Sequence, residues 1–432
     1  MFGGGILFFV LPVGILMFYL VPAIFWPLRD DIADGGGLLL MSAVVISCYF
    51  LFWHFKIDVL IFSPLVNFLR RLGVFSVEKK SIYAVAVSYI FFMMYVILTA
   101  PAIPALDAFR VGCGIDCLAQ GREVFLRARD GWESSLNYMY SMYRSFLVPL
   151  VVCYFYATKD RFRHIFLIVF AITLLLTLEK SVAIFIFAPL ACLFISKKNY
   201  SHALFIVFLM LLSIAGTAFL ARGGLVIAND AGSHVGVGVT ANIDRAVPAS
   251  DVDLAAINQS MSAVPASYNK FNYGGQIGYI ANRVVYIPYI TAIDWLRYHR
   301  EILHGEYLRG KSISLVAFLL GEDRVRIDRD VFSFQWGQNS TGTGVANTVF
   351  FVDSYVNFGW IGCFLYTLIV VFIVRMVVRS DVLGIQAAMV VPMLYLIFNS
   401  LTAMIFSGGI FFAVLLAVFS RSPERKGELD LS

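Results

Sequence analysis

The feature that most constrains this chain is a series of apolar runs, each near the length of roughly 20 residues that a helix needs to cross hydrocarbon. They cover residues 5–26, 37–55, 82–102, 138–157, 164–178, 181–196, 203–220, 357–378, 383–401 and 404–420. Unpaired backbone groups are costly in lipid, so runs of this kind are expected as helices. Composition agrees. Charged residues are 14% of the chain, against roughly 25% in a soluble domain, and mean hydropathy is +0.81. So little charge cannot cover a water-facing surface, and lipid must be much of the solvent. The 40 Phe and 21 Tyr suit lipid-facing helices and interfacial belts. The expected fold class is therefore an all-α integral membrane protein with about ten transmembrane helices. The first run follows no basic stretch and precedes no small-residue cleavage pattern, so a retained helix is expected there and not a signal peptide.

Orientation follows from Lys and Arg in the short connections, which concentrate on the cytoplasmic side. One set holds Lys56, Arg70, Arg71, Lys79, Lys80, Lys159, Arg161, Arg163, Lys197, Lys198, Arg375, Arg379 and the tail residues Arg421, Arg425 and Lys426. The short connections of the other set hold only Arg29 and Lys180. The alternation closes with both termini cytoplasmic. Residues 57–75, with Leu60, Ile61, Leu65, Phe68 and Leu69, read as an amphipathic helix lying in the inner interface.

Three regions follow. Residues 1–220 carry helices one to seven and an outer loop at 103–137, and residues 357–432 carry helices eight to ten and a cytoplasmic tail. Between them lies a large outer loop, 221–356. Its first half, Gly223 to Gly278, is rich in Gly, Ala, Ser and Asn and reads as flexible chain. Its second half has helical periodicity over 279–299 and 311–320. A structured half beside a flexible one suggests a site with a lid. Of the six cysteines, Cys48, Cys153, Cys192 and Cys363 sit in apolar runs and read as small buried hydrophobes. Cys113 and Cys117 share a polar loop, where an oxidising compartment would allow them to pair.

Charges placed against the apolar pattern are the candidates for chemistry. Glu179 and Lys180 interrupt two apolar runs, and ionisable groups at such depth usually face a cavity or a partner. The bland alternative is a helix corner at the surface. The outer loops hold many arginines, among them Arg122, Arg127, Arg129, Arg222, Arg283, Arg297, Arg300, Arg309, Arg324, Arg326 and Arg329. Guanidinium forks bind phosphate bidentately and stay charged, which suits a diphosphate near a membrane. Asp353 and Asn357 stand four residues apart, on one helix face, where the chain re-enters the membrane. A carboxylate there can act as base toward a hydroxyl or orient a sugar; its bland reading is a helix-start cap. Asp30 and Asp31 read as a solvated turn. No phosphate-binding loop, nucleophile elbow or zinc-protease motif occurs, and a net charge of +5 offers no stripe for nucleic acid.

Four segments, in order, carry a resemblance. They are Gly-Arg122-Glu-Val-Phe125, Leu178-Glu-Lys180-Ser, Asn282-Arg283-Val-Val-Tyr-Ile-Pro288 and Asn347 through Gly362, the last with Tyr-Val-Asn-Phe-Gly-Trp-Ile-Gly. The chain resembles bacterial O-antigen polymerases, membrane enzymes that join lipid-linked oligosaccharide repeat units. The resemblance implies a GT-C-like scaffold in the bacterial inner membrane, with a periplasmic loop subdomain and the active site facing the periplasm. The implied reaction transfers a growing glycan from undecaprenyl diphosphate to an incoming lipid-linked unit. Its implied partners are that lipid-linked oligosaccharide, membrane lipid and a chain-length-regulating protein, with no nucleic acid.

On this reading Arg283 and Lys180 hold the diphosphate, aided by Arg122 or Arg222. Asp353 or Glu179 accepts or orients the acceptor hydroxyl, and Tyr286, Tyr355, Asn357 and Asn347 line the sugar cleft. No cofactor and no metal is expected, since cations of the chain carry the charge. The corner carries Lys180 where such enzymes often carry arginine. The rivals are an O-antigen ligase, which would depend on an outer-loop histidine such as His299 or His304, and a lipid-linked sugar flippase or transporter.

Overall fold

The structure, a computed structural model, describes residues 3–25, 32–72, 75–76, 78–106, 121, 123–127, 129, 131–177, 182–220, 282–337, 344–380, 382 and 384–421. The expectations for Arg122, Glu179, Lys180, Arg222, the Cys113–Cys117 loop, Asp30, Asp31 and the Gly-rich half of the large loop fall outside these residues, as does the side chain of Arg283.

Helix dominates because apolar runs must satisfy their own backbone. The first run is α1 (Gly3–Ile15), a π-helical turn (Leu16–Leu20) and α2 (Val21–Phe25). Next come α3 (Ile32–Phe55), α4 (Ile57–Leu72) and α5 (Lys79–Thr99). The fourth run is bent: α6 (Ser135–Met142) passes through a π-helical turn (Tyr143–Leu147) into α7 (Val148–Ala157). Then follow α8 (Arg163–Leu175), α9 (Val182–Ser196) and α10 (Tyr200–Leu220). The large loop contributes a π-helical turn (Asn282–Tyr286) leading into α11 (Ile287–Glu301), then α12 (Ser314–Leu320) and α13 (Ile327–Trp336). The chain re-enters along α14 (Phe350–Val378). The last two runs are broken into α15 (Ile385–Ala388), α16 (Val390–Leu396), α17 (Leu401–Phe406) and α18 (Ile410–Phe419). The expected spans 383–401 and 404–420 therefore meet at a polar corner around Asn399 and Ser400, not between two unbroken helices.

Four of these segments are long and apolar enough to cross a membrane: Gly5–Phe25, Asp34–Phe55, Lys79–Thr99 and Phe350–Val378. Five shorter apolar helices accompany them: Arg163–Leu175, Ala183–Ser196, Tyr200–Ser213, Ile385–Leu396 and Ile410–Phe419. The protein is a helical membrane protein, and its surface shows the matching inversion. Large apolar side chains such as Phe91, Leu98, Leu204, Phe208 and Ile361 point outward.

Two apolar cores hold the bundle. One surrounds α14, which packs against α1, α3, α4, α11 and α18. The other joins α5, α6, α7, α8 and α9. The described cysteines 48, 153, 192 and 363 are free thiols in these apolar surroundings.

Contacts between connections fall into two sets. Asp160 pairs with Lys79 at 2.8 Å, and Lys197 Nζ donates to the Ala157 carbonyl at 3.1 Å. Arg70 Nε reaches the Val418 carbonyl at 3.2 Å, and a two-residue parallel bridge joins Phe75–Ser76 to Ser420–Arg421. Every one of these joins connections that the alternation puts on the Lys/Arg-rich side. The opposite side shows its own set. Arg300 meets Asp34 at 2.8 Å, and the Ala105 N–H reaches the Leu176 carbonyl at 3.1 Å. Arg129 donates to Thr99 Oγ1 at 2.8 Å and to Glu133 at 3.2 Å. At the basic end Lys56, Lys159 and Lys198 each take a left-handed backbone just after a helix. A cation at a helix C-terminus is favoured by the partial negative charge of the free carbonyls.

The amphipathic helix expected over 57–75 is α4. It leaves Leu60, Ile61, Leu65 and Phe68 exposed and turns Val66 and Asp58 inward. Asp58, fully buried, accepts from Arg375 Nε at 2.7 Å. Arg375 also donates to the Trp53 carbonyl at 2.7 Å and lies 4.2 Å from the Trp53 ring centroid. Removing one partner of such a pair strands the other charge. Asp58→Ala is therefore expected to destabilise the protein by about 3–5 kcal/mol, read as a loss of thermal stability in detergent, while Leu60→Ala on the exposed face changes little.

A second expectation concerns acid. Lys79, the Phe162 N–H and the Tyr83 hydroxyl hold the Asp160 carboxyl below its ordinary value of 3.8, to about 2. A lowered native value means that the ionised form stabilises the fold. That contribution is complete above about pH 4 and is lost as pH falls through about 2. Thermal unfolding from pH 5 down to pH 2 should lose stability in wild type and show a shallower dependence in Asp160→Asn.

Candidate functional site

The site begins with a break in the main helix. Gly359, inside α14, has φ 66° and ψ −154°, a backbone open to glycine and hardly to other residues. The break interrupts the ladder of backbone hydrogen bonds, and buried carbonyls need other donors. The large loop supplies them. Leu308 N–H donates to the Val356 carbonyl at 3.1 Å, and Arg309 N–H to the Asn357 carbonyl at 2.8 Å. Tyr307 fills the space where a Gly359 side chain would stand, 2.9 Å from the position of a Cβ.

Side chains add a second row of stitches. Asn357 is fully buried and donates through Nδ2 to the Asp353 carbonyl at 2.9 Å and to Asp353 Oδ1 at 3.4 Å. Its own Oδ1 accepts from the Ser312 hydroxyl at 2.9 Å. The four-residue spacing read from the sequence thus becomes a direct contact. Asp353 is only 4% exposed, and its Oδ2 has no donor among the described residues.

Asp353 lines a cavity of about 440 Å³. Five parts of the chain build it. Asn347 and Thr348 belong to the lead-in to α14, which Trp295 Nε1 fixes by donating to the Ala346 carbonyl at 2.8 Å and the Asp328 backbone carbonyl fixes by accepting from Ala346 N–H at 2.8 Å. Ser312, Ser314 and Leu315 come from the loop around the start of α12, and Arg324 and Asp328 from its far side. Asn399, Ser400, Thr402, Phe406 and Ser407 come from the corner between the last two apolar runs. Tyr138 of α6 and Trp295 of α11 close the wall with aromatic rings.

Charge in the cavity is mixed. Asp353 and Asp328 line it, and so does Arg324, a residue that is exposed to solvent. Arg324 Nε donates to the Ser312 carbonyl at 2.9 Å, which aims the group, and no carboxylate pairs with it among the described residues. Thr348 Oγ1 is a second buried atom with no partner there. Buried polar atoms are normally satisfied, so both atoms call for a partner, which an ordered water or a polar ligand supplies. The set has the parts to hold an anion on a guanidinium, to fix hydroxyls on amides, and to take a proton on a carboxylate. No group of three or more His, Cys, Asp or Glu suited to a metal occurs among the described residues.

The expected site residues are thus divided. Asp353 and Asn347 line the cavity, and Asn357 braces Asp353 from behind. Tyr355 stands about 200° further round the helix from Asp353. It packs with Tyr307, His299 and Trp360, away from the cavity. Tyr286 is buried beside Tyr289 in the core, also away from the cavity. Arg324 was legible only as one outer arginine among many, and Asn399 and Ser400 lay unremarked inside an apolar run. Asp328 carried no signal.

Comparison of the chain with protein-family models, with curated proteins and with solved structures finds no match.

The break should be testable without knowing the ligand. Gly359→Ala forces a side chain into left-handed backbone and into Tyr307, at an expected cost of about 1–3 kcal/mol. Limited proteolysis within 302–313 should accelerate in that variant, because the loop loses its anchoring carbonyls. An unchanged rate would mean that the loop is held by other contacts.

Proposed function

We propose that this protein is a glycosyltransferase that polymerises lipid-linked oligosaccharide repeat units, of the O-antigen polymerase kind. The observation that carries the reading is the cavity that Asp353, with an unpartnered carboxylate oxygen, lines together with Arg324. It lies where the resemblance to such enzymes is densest, at Asn347 through Gly362. On this proposal ten helices span the bacterial inner membrane, both termini are cytoplasmic, and the large loop and the cavity face the periplasm.

In the proposed reaction a hydroxyl of the incoming unit attacks the anomeric carbon of the growing glycan. The bond from that carbon to the undecaprenyl diphosphate oxygen breaks, and the diphosphate leaves with the bonding electrons. Asp353 accepts the hydroxyl proton, and Glu179 is the other carboxylate proposed for this role. Charge grows on the leaving group, so fixed guanidinium groups stabilise the transition state more than the ground state. Arg324 is suited to this task by its position, alongside Arg283, Lys180, Arg122 and Arg222 from the sequence reading. Asn347, Asn399 and Ser400 suit sugar hydroxyls, and Trp295 and Tyr138 offer faces for sugar rings.

The ligase reading asks for a reactive outer histidine. His299 is buried, and burial pushes its imidazole below the usual range. It stacks on Tyr307 with ring centroids 5.2 Å apart, away from the cavity. His304 lies on an exposed turn. This placement favours the polymerase reading over the ligase.

The test is the lipopolysaccharide pattern of a strain lacking the protein, complemented with wild type, Asp353→Asn or Arg324→Ala. Core carrying a single repeat unit is expected on deletion, and Asp353→Asn should lower polymerisation by roughly 10²–10⁴-fold at normal membrane levels. Bare core with accumulated lipid-linked polymer would make the protein a ligase. Bare core with unpolymerised units held in the cytoplasm would make it a flippase.

A further inference from the structure

The segment 311–325 is a closed hairpin with a polar stem and an apolar tip. The stem is held three times. Lys311 pairs with Glu322, Val325 N–H donates to the Lys311 carbonyl at 3.0 Å, and Arg324 Nε donates to the Ser312 carbonyl. The tip is α12, with the sequence Ser-Leu-Val-Ala-Phe-Leu-Leu. Phe318 is 79% exposed and Leu319 is 73% exposed, and Leu315 and Leu320 are exposed as well. Four large apolar side chains on one seven-residue helix form a patch that water does not favour.

Its position says what covers it. A Cβ on Gly310 would lie 2.8 Å from Val316 of α12 and 2.9 Å from the ring of Phe358, so α12 sits beside Phe358 of α14. Phe358 begins an outward row that continues through Ile361 and Leu365 along a helix able to cross a membrane. With 29 residues α14 is about 43 Å long, against roughly 30 Å of hydrocarbon. Arg375 and Arg379 mark its basic end. Counting 30 Å back from there ends near Phe358, so the opposite bilayer boundary passes beside α12.

We infer that α12 is a membrane-inserted fingertip, with Phe318 and Leu319 buried in the bilayer leaflet that meets α14 at Phe358. The partner is the lipid surface itself. Ser314 and Leu315 of the same helix line the cavity, as does the exposed Phe406. The cavity therefore opens at headgroup level, where a ligand with a polar head and an apolar chain enters from the membrane. The inference concerns membrane contact and stands whichever reaction the site performs.

The test is depth measurement by nitroxide labelling of the full chain in phospholipid vesicles. Phe318→Cys and Leu319→Cys are labelled, with Ile361→Cys as the membrane-facing reference and Glu306→Cys as the water-facing one. The signal of the identically labelled parent is subtracted. Positions 318 and 319 are expected to collide with oxygen in preference to a water-soluble nickel complex, as position 361 does. Preference for the nickel complex, as at position 306, would overturn the inference. Exclusion of both reagents would also overturn it, by showing a protein cover such as residues 221–281 of this chain. Dipolar broadening would do so by showing a second copy.

Discussion

A single interruption of backbone hydrogen bonding organises the region around the cavity. A helix as apolar as α14 would normally satisfy all its carbonyls internally, which is why helices span membranes at all. At Gly359 it does not, and the carbonyls of Val356 and Asn357 are left for the loop that precedes the helix. Leu308 and Arg309 take them, Ser312 holds Asn357, and Asn357 holds Asp353. The loop is drawn down onto the helix by the need to satisfy buried polar groups, and one wall of the cavity is built as a result. Irregular backbone near membrane depth is tolerated where it is buried in protein, and Gly359 is buried.

Elsewhere the physics of the bundle is that of a solvent without water. Apolar side chains face outward along the helices, and polar contacts gather at the two ends. One pair of opposite charges is buried between helices. Asp58 and Arg375 meet between α4 and α14, with two backbone carbonyls and the Trp53 ring completing the guanidinium's surroundings. The pair fixes the amphipathic α4 against the helix that carries the cavity at its other end. The polar stem of the α12 hairpin follows the same logic, with ion pairs in the aqueous layer and the apolar tip beyond it.

Much of this was legible in the residues. Helix α4 was visible because its apolar positions recur with helical spacing among charges. The Asp353–Asn357 contact was visible because four residues is one turn. The tyrosines misled, because a tyrosine near a re-entering helix serves equally as core or as cleft wall. Only rotation about the helix axis, set by packing, sends Tyr355 to His299 and Tyr307. The breaks in the last two apolar runs were hidden because hydropathy averages over a corner of four residues, Ile397 to Ser400.

The sequence by itself determined the solvent, the helical class and the pairing within α14, since each depends on local spacing and on hydropathy summed over a helix length. Tertiary structure alone decided which polar groups meet. Arg324 and Asn399 are 75 residues apart in the chain, and they share a cavity because a broken helix pulls one loop inward while the last apolar runs turn a corner beside it. No local rule encodes that meeting, because it is fixed by where unsatisfied carbonyls and packed faces find their partners.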